Sequence, residues 1–471
     1  MQKKYLAELK VTGKAFSNQF YSNYASIYSL PEKAFISKID SARKQFQSVL
    51  NTYSNQLDKG YVRGQEIEIK YYFDKLLIDH PVNHDNYVGS NTINRATIPQ
   101  KLKNNLVDFN DPSLLANADF TNYVKAFFAY QTELELKKPA YKNTDNRQLK
   151  AAWKLIPRFI SNQPCRTFWR SYYLYNHIEN KGIKNIGPIY NEFRSTCKDT
   201  TELSRIHTIY AEDSIGRLGH LIKTYKKVGA FDLDMHLFLP DGLAAGDKKP
   251  VIVFFHGGSW SEGKPDWFFY SCENYAKKGW VACSVEYRIS GRQGTLPFDA
   301  VMDARSAIRW LREHAAAYNI DTNRIVASGN SAGGHLALCT VLANQWNEKT
   351  DNLAFGAAAN LLLINAGVYD LTDQNNSWIR KGLKDKNIVK QISPVYLIEK
   401  KLPPTLIIHG TNDQNVPYAS AERFVTETKQ SGNTTIQFEP LQGAGHFIWF
   451  DQKYSAEVSR LRGEFLVKWG Y

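Results

Sequence analysis

Gly329-Asn330-Ser331-Ala332-Gly333-Gly334 follows the apolar run Ile325-Val-Ala-Ser and precedes the helix-forming stretch His335-Leu-Ala-Leu. A serine flanked by glycines at a strand-to-helix turn is placed to act as a nucleophile. The turn is too sharp for side chains at its flanks, and it lifts the hydroxyl above a sheet at a helix N-terminus. A serine hydroxyl attacks an acyl carbon only when a base takes its proton. His446, in Gly443-Ala-Gly-His-Phe447, comes just after the alternating segment Thr434-Thr-Ile-Gln-Phe-Glu439 and is the candidate base. Small residues before it leave the imidazole room to swing towards Ser331. The base in turn needs an acid that fixes its tautomer and stabilises the imidazolium. Asp413 follows the apolar run Leu406-Ile-Ile and completes the chain order Ser331, Asp413, His446. Asp370, after an earlier apolar run, is the competitor for that place.

Acyl transfer also develops negative charge on the carbonyl oxygen, which needs donors aimed at it. His256-Gly-Gly-Ser-Trp260 follows Val251-Ile-Val-Phe-Phe255, and its glycines let backbone N–H groups approach a substrate. Gly257 or Gly258, together with Ala332, are the candidate donors, one such donor being worth roughly 3–4 kcal/mol. Trp260 is a candidate substrate contact. So is Trp378, in the insert Leu371 to Lys390 with Arg380 and Lys381, which reads as a lid over the cleft or as a solvated loop. Arg288, at the end of a strand-like run, and Asp303, on the following helix, read as a buried ion pair supporting the loop under the site.

These residues must be held by a scaffold, and the chain supplies one after about residue 205. Short apolar runs (Met235-His-Leu-Phe-Leu, Val251-Ile-Val-Phe-Phe, Val281-Ala-Cys-Ser-Val, Ile325-Val-Ala-Ser, Leu361-Leu-Leu-Ile, Thr405-Leu-Ile-Ile) alternate with helical stretches. That texture predicts a mostly parallel sheet covered by helices on both faces, an α/β domain over residues 223–471. Residues 201–222 read as a linker or first edge element. Residues 1–200 read as a helical module: apolar residues at 35, 39, 42, 46, 49 and 50 recur at helical spacing. Asp111-Pro112 reads as a helix start, with Asp111 as cap.

The chain has 471 residues, 13% aromatic and 22% charged, enough for two or three domains with sizeable cores. Of the net charge of +13, residues 1–200 carry +11. A lysine-solvated surface or a face for an anionic polymer or envelope component fits that excess. No Lys/Arg run, zinc-finger spacing or RNA-binding aromatic signature points to nucleic acid, and no apolar run approaches a transmembrane span. The five cysteines form no CxxC pair, so neither a zinc site nor redox chemistry is indicated, and no cofactor or metal is expected; a Cys165–Cys197 disulfide is open. The N-terminus lacks the apolar stretch of a signal peptide, so the setting is cytoplasmic or the chain has been trimmed.

Residues 223–471 resemble the α/β-hydrolase esterase/lipase superfamily. The run Glu286-Tyr-Arg-Ile-Ser-Gly-Arg-Gln-Gly-Thr-Leu-Pro-Phe-Asp299 is similar to acetyl-esterase and feruloyl-esterase-like members, and His-Gly-Gly-Ser-Trp places the chain nearer the HGGxW esterases than the hormone-sensitive-lipase type. The N-terminal half resembles, more faintly, the helical region of bacterial envelope thiol–disulfide lipoproteins. Together the resemblances imply a periplasmic or secreted serine carboxylesterase acting on a small acyl ester, such as an acetylated or feruloylated carbohydrate. Two rivals are a serine exopeptidase of the prolyl-oligopeptidase type and a non-catalytic binding protein on the same fold. Residues 1–200 are expected to position the enzyme or its substrate, and residues 205–471 to fold and turn over a small ester alone.

Overall fold

The computed structural model describes residues 1–88, 100–244, 246–372, 385–398 and 402–471. They divide into two compact units: Met1–Lys142 with Gln148–Leu174 and Tyr190–Arg205, and Asn143–Arg147 with Tyr175–Ile189 and Ile206–Tyr471.

The first unit is helical. Helix Glu32–Tyr53 buries Phe35, Ile39, Val49 and Leu50, the face its spacing predicts, with Ala42 and Phe46 packed partly against the same core. Its aromatic content goes inward. Phe109, Phe120, Phe127, Phe128 and Trp169 are buried together, with Phe109 and Phe127 edge to face at 4.9 Å. Asp111 does cap a turn, its carboxylate accepting from Ser113 N at 2.9 Å, but that turn is a 3-10 segment of Pro112–Leu114. The long helix begins later, at Ala118, where the Asn117 side chain accepts from Phe120 N at 2.9 Å.

The second unit is built on an eight-stranded sheet in the order β1-β2-β4-β3-β5-β6-β7-β8. The strands are β1 (Leu221–Val228), β2 (Phe231–Phe238), β3 (Lys249–Phe255), β4 (Val281–Val285), β5 (Ile320–Asn330), β6 (Leu361–Asn365), β7 (Thr405–Gly410) and β8 (Ile436–Leu441). β1–β2 and β2–β4 pair antiparallel, and all other pairs are parallel. β4, β6 and β7 are buried at every residue, as continuous apolar runs under helices on both faces must be. Helices Pro297–Glu313 and Ala332–Leu342 pack one face, and Phe269–Lys277 and Ser455–Lys468 the other.

Residues 201–222 are mostly helix, Thr200–Gly216, which runs on into β1. The sheet-bearing unit also takes in residues 143–147 and 175–189, which a single division near residue 200 assigns to the helical module. All five cysteines are free: Cys165 and Cys197 form no disulfide, and Cys283 and Cys339 are buried among apolar side chains. No helix of the described residues is long and apolar enough to cross a membrane.

Candidate active site

Ser331 sits between β5 and the helix Ala332–Leu342 with φ 54° and ψ −122°, a strained conformation for a residue bearing a side chain. Two backbone bonds hold it there: its N–H donates to Asn365 O at 3.0 Å, and its carbonyl accepts from His335 N at 3.1 Å. The flanking glycines answer to crowding. A Cβ on Gly333 would lie 1.9 Å from Phe255 O, and one on Gly329 2.3 Å from the carbonyl carbon of Gly333. No other residue type lets β3, β5 and the helix converge so tightly under the serine.

Asp413 lies in the turn after β7 and His446 in the turn after β8. The two meet, with His446 Nδ1 2.7 Å from Asp413 Oδ2, and both side chains are nearly inaccessible to solvent. Burial alone would raise the carboxyl pKa. His409, His446 and the Val416 N–H all donate to it, and together they hold it well below the usual carboxylate range. The ionised carboxylate accepts, so Nδ1 of His446 carries the hydrogen and Nε2 is left as the basic nitrogen. His409 and its contact with Asp413 Oδ2, at 3.2 Å, were not singled out by the sequence. Only its position four residues before the acid could have signalled it. The competitor Asp370 is engaged elsewhere, accepting from Thr372 N and Oγ1 and from Tyr396 Oη.

Ser331, His446, Gly257, Gly258 and Trp260 line one cavity of about 1150 Å³. A Cβ on Gly257 would stand 3.5 Å from Ser331 Cβ, so this backbone passes directly beside the serine. Gly258 has φ +105°, and a Cβ there would lie 2.2 Å from Glu262 O. The tight turn closes where Ser261 N and Glu262 N donate to Gly258 O at 2.9 and 3.0 Å. Neither Gly257 nor Gly258 donates its N–H to an acceptor among the described residues, and Ala332 N opens a helix. His256 stacks on Tyr287 at 4.2 Å, and burial lowers its pKa to about 4, so it stays neutral beside the loop. Trp260 is buried, edge-on to His335 at 5.1 Å. Trp378 lies outside the described residues, as does most of the expected lid.

The loop from His256 to Gly263 is anchored on several sides. Tyr287 Oη donates to His256 O at 2.7 Å, Ser290 N to Trp260 O at 2.8 Å, and Gly291 N to Ser261 O at 3.1 Å. Gly263 N donates to Asn180 O at 2.7 Å, a contact from the strip 175–189. Arg292, in the turn that carries Ser290 and Gly291, pairs with Glu286 and, at 2.7 Å, with Asp145 of the strip 143–147. Lys184 reaches Glu286 and Asp234, each at 2.7 Å. The expected Arg288–Asp303 pair is present, with Nη2–Oδ1 at 2.8 Å, inside a larger buried cluster with Lys226, Asp299 and Glu348. Among the described residues no group of three or more His, Cys, Asp or Glu side chains is placed to hold a metal.

A mostly parallel sheet covered on both faces, with a serine in a strained turn between β5 and the next helix, defines an α/β-hydrolase. Comparison with known proteins agrees. The BD-FAE family matches residues 235–427. Esterase LipQ of Mycobacterium tuberculosis is 31% identical over 225 residues, which cover 44% of this chain and 52% of that protein. The probable isoprenylcysteine alpha-carbonyl methylesterase ICMEL1 of Arabidopsis thaliana is 26% identical over 42% of this chain and 45% of its own length. The chain thus spans about half the length of the curated relatives it matches. A thermophilic esterase of the Planctomycetes species Thermogutta terrifontis, solved in its native form, is 35% identical with a TM-score of 0.50, covering 54% of this chain and 94% of that one. Its propionate-bound form is 36% identical at the same TM-score and 96% of that chain. The chain belongs to the α/β-hydrolase esterase superfamily.

Proposed function

We propose that this protein is a serine carboxylesterase in which Ser331 is the nucleophile, His446 the general base and Asp413 the acid that orients it. The observation that carries the reading is the 2.7 Å His446–Asp413 contact, made in a cavity whose lining also includes Ser331. Ser331 Oγ attacks the ester carbonyl while His446 Nε2 takes its proton. The oxyanion is received by the N–H groups of Gly257 or Gly258 and of Ala332. Collapse of the tetrahedral adduct breaks the bond to the alcohol, which leaves with the proton from His446, and Ser331 is left acylated. Water, deprotonated by the same imidazole, then releases the acid and restores the serine. No cofactor enters this cycle.

We further propose that the ester is an acyl group on a carbohydrate, acetyl or feruloyl, with Trp260 against the acyl group. Acetylated oligosaccharides and feruloylated sugars, assayed beside p-nitrophenyl acetate, test the substrate. Ser331→Ala tests the chemistry: it should fold normally, escape fluorophosphonate labelling and lose roughly 10⁴–10⁶ in kcat, because the three residues act as a unit. Retained hydrolysis within tenfold of wild type would reject the assignment. A periplasmic or secreted setting, with the basic helical module facing an anionic polymer or envelope component, is part of the same proposal. It is tested by cell fractionation and by salt-dependent retention on an acidic polysaccharide.

A further inference from the structure

Gly257 and Gly258 line the cavity beside Ser331, and the N–H of each belongs to a peptide whose carbonyl lies on the residue before it. In a trans peptide the C=O and N–H point in nearly opposite directions, so whatever holds the oxygen also aims the hydrogen. Both oxygens are held. Tyr287 Oη donates to His256 O at 2.7 Å, in the peptide that carries the Gly257 N–H. His256 Nδ1 lies 2.8 Å from Gly257 O, in the peptide that carries the Gly258 N–H. A carbonyl oxygen only accepts, so the neutral imidazole carries its hydrogen on Nδ1.

Tyr287 follows β4, is 1% exposed and is not among the residues that line the cavity. Its ring stacks on the His256 imidazole at 4.2 Å, with 19° between the planes, which fixes where the hydroxyl stands. Oη also lies 3.4 Å from Gly257 O, so one hydroxyl is close to both peptides. Burial raises the Tyr287 pKa well above its ordinary value, so the hydroxyl keeps the proton it donates. A hydrogen bond accepted by the carbonyl also polarises the peptide and makes its N–H a stronger donor.

We propose that Tyr287 is a positioning residue for ester hydrolysis: its hydroxyl, through His256 O, aims the Gly257 N–H at the oxyanion of the tetrahedral adduct. The proposal rests on Ser331 being the nucleophile, and it assigns Gly257 rather than Gly258 as the donor that Tyr287 serves. The hydroxyl never meets the substrate. Its effect falls on the adduct, where charge sits on oxygen, and not on the bound trigonal ester.

Tyr287→Phe in the full chain keeps the ring and removes the hydroxyl. Its kcat on p-nitrophenyl acetate, per site titrated with a fluorophosphonate, should fall about tenfold with KM within about twofold, less than the loss of about 10²–10³ for a donor removed outright. Two ketones of one shape separate aim from packing. A trifluoromethyl ketone adds to Ser331 and carries an oxyanion, whereas the matching methyl ketone stays trigonal. Tyr287→Phe should weaken the first by about the factor lost in kcat and leave the second within about twofold. Ser284→Ala removes another buried hydroxyl-to-carbonyl bond of 2.7 Å, to Pro265 O. It should leave kcat and both ketone affinities within about twofold. Equal weakening of both ketones, an unchanged kcat, or the same selective loss in Ser284→Ala overturns the proposal. Should thermal melting show that Tyr287→Phe does not fold, 3-fluorotyrosine at position 287, placed by stop-codon suppression, keeps the ring and strengthens the donor. Affinity for the trifluoromethyl ketone should then rise about twofold or more, and no rise overturns the proposal. Failure of the nucleophile assignment reads differently: Ser331→Ala would still hydrolyse p-nitrophenyl acetate.

Discussion

His409 Nε2 stands 3.2 Å from Asp413 Oδ2, the oxygen that His446 Nδ1 contacts at 2.7 Å. The same His409 nitrogen lies 3.0 Å from Val416 O, so it carries a hydrogen and shares it between the two acceptors. One buried histidine thus steadies the carboxylate that orients another. His409→Leu removes this donor and leaves Val416 O without it. kcat on p-nitrophenyl acetate should fall about tenfold with KM little changed, since an orienting group acts mainly in the transition state. His409→Gln, which can still donate, should recover most of the loss. Equal activity of wild type and His409→Leu would show that Asp413 needs no such support.

The two candidate acids separate cleanly by substitution. Asp413→Asn should lower kcat by about 10⁴, because the amide no longer fixes the required tautomer of His446. Asp370→Asn should stay within about threefold, since Asp370 accepts from Thr372 and Tyr396, while His446 Nδ1 is met by Asp413. The reverse pattern would exchange their roles.

Glu286 gives the clearest pH signature in stability. Burial would raise its pKa, but Arg292, Lys184 and the Asp234 N–H outweigh that and lower it to about 2. The unfolded chain therefore takes up this proton at higher pH than the folded one. The stabilisation is complete above the ordinary glutamate value of 4.5 and is lost as pH falls from there towards 2. Glu286→Gln should be less stable than wild type by a few kcal/mol at pH 7, as expected for one partner removed from a buried ion network. Urea midpoints should show that gap closing at pH 3 and below. A gap that is constant with pH would mean the network contributes packing and not charge.

A chain of residues 206–471 keeps every proposed catalytic residue but loses Asp145, Asn180 and Lys184. Glu286 and Arg292 are then buried without their outer partners, and the Gly263 N–H loses the Asn180 carbonyl. The sequence alone leads to the expectation that such a fragment works by itself; these contacts lead to the opposite prediction. It should lack a cooperative thermal transition by circular dichroism and turn over p-nitrophenyl acetate at under about a tenth of the full-chain rate. A stable, fully active fragment would show the strips to be dispensable.

The sequence was most legible where a structure depends on local pattern. β2 to β7 each hold a short, mostly apolar run, and the serine turn and the aspartate and histidine turns each follow a strand end, so motif and element reinforce one another. β1 was not seen because five of its eight residues are exposed and three are lysine; its Lys226 turns inward to Asp303, a burial that only the partner explains. The helix expected at Asp111 began later because Asn117 offers a second and better-placed cap. The strips 143–147 and 175–189 left no local trace, since their role lies in contacts with residues more than a hundred positions away, such as Lys184 with Glu286.

Asp145 and Arg292 are 147 positions apart. At translation rates of about 5–20 residues per second, the acid precedes its partner from the ribosome by on the order of ten seconds. During that interval the strip has only Lys184 and Asn185 of the strip 175–189 to bind, and the sheet that will bury both does not yet exist. The hydrolase unit is thus closed over residues made long before it, and that long-range step, rather than formation of either helix set, is where folding should be slowest.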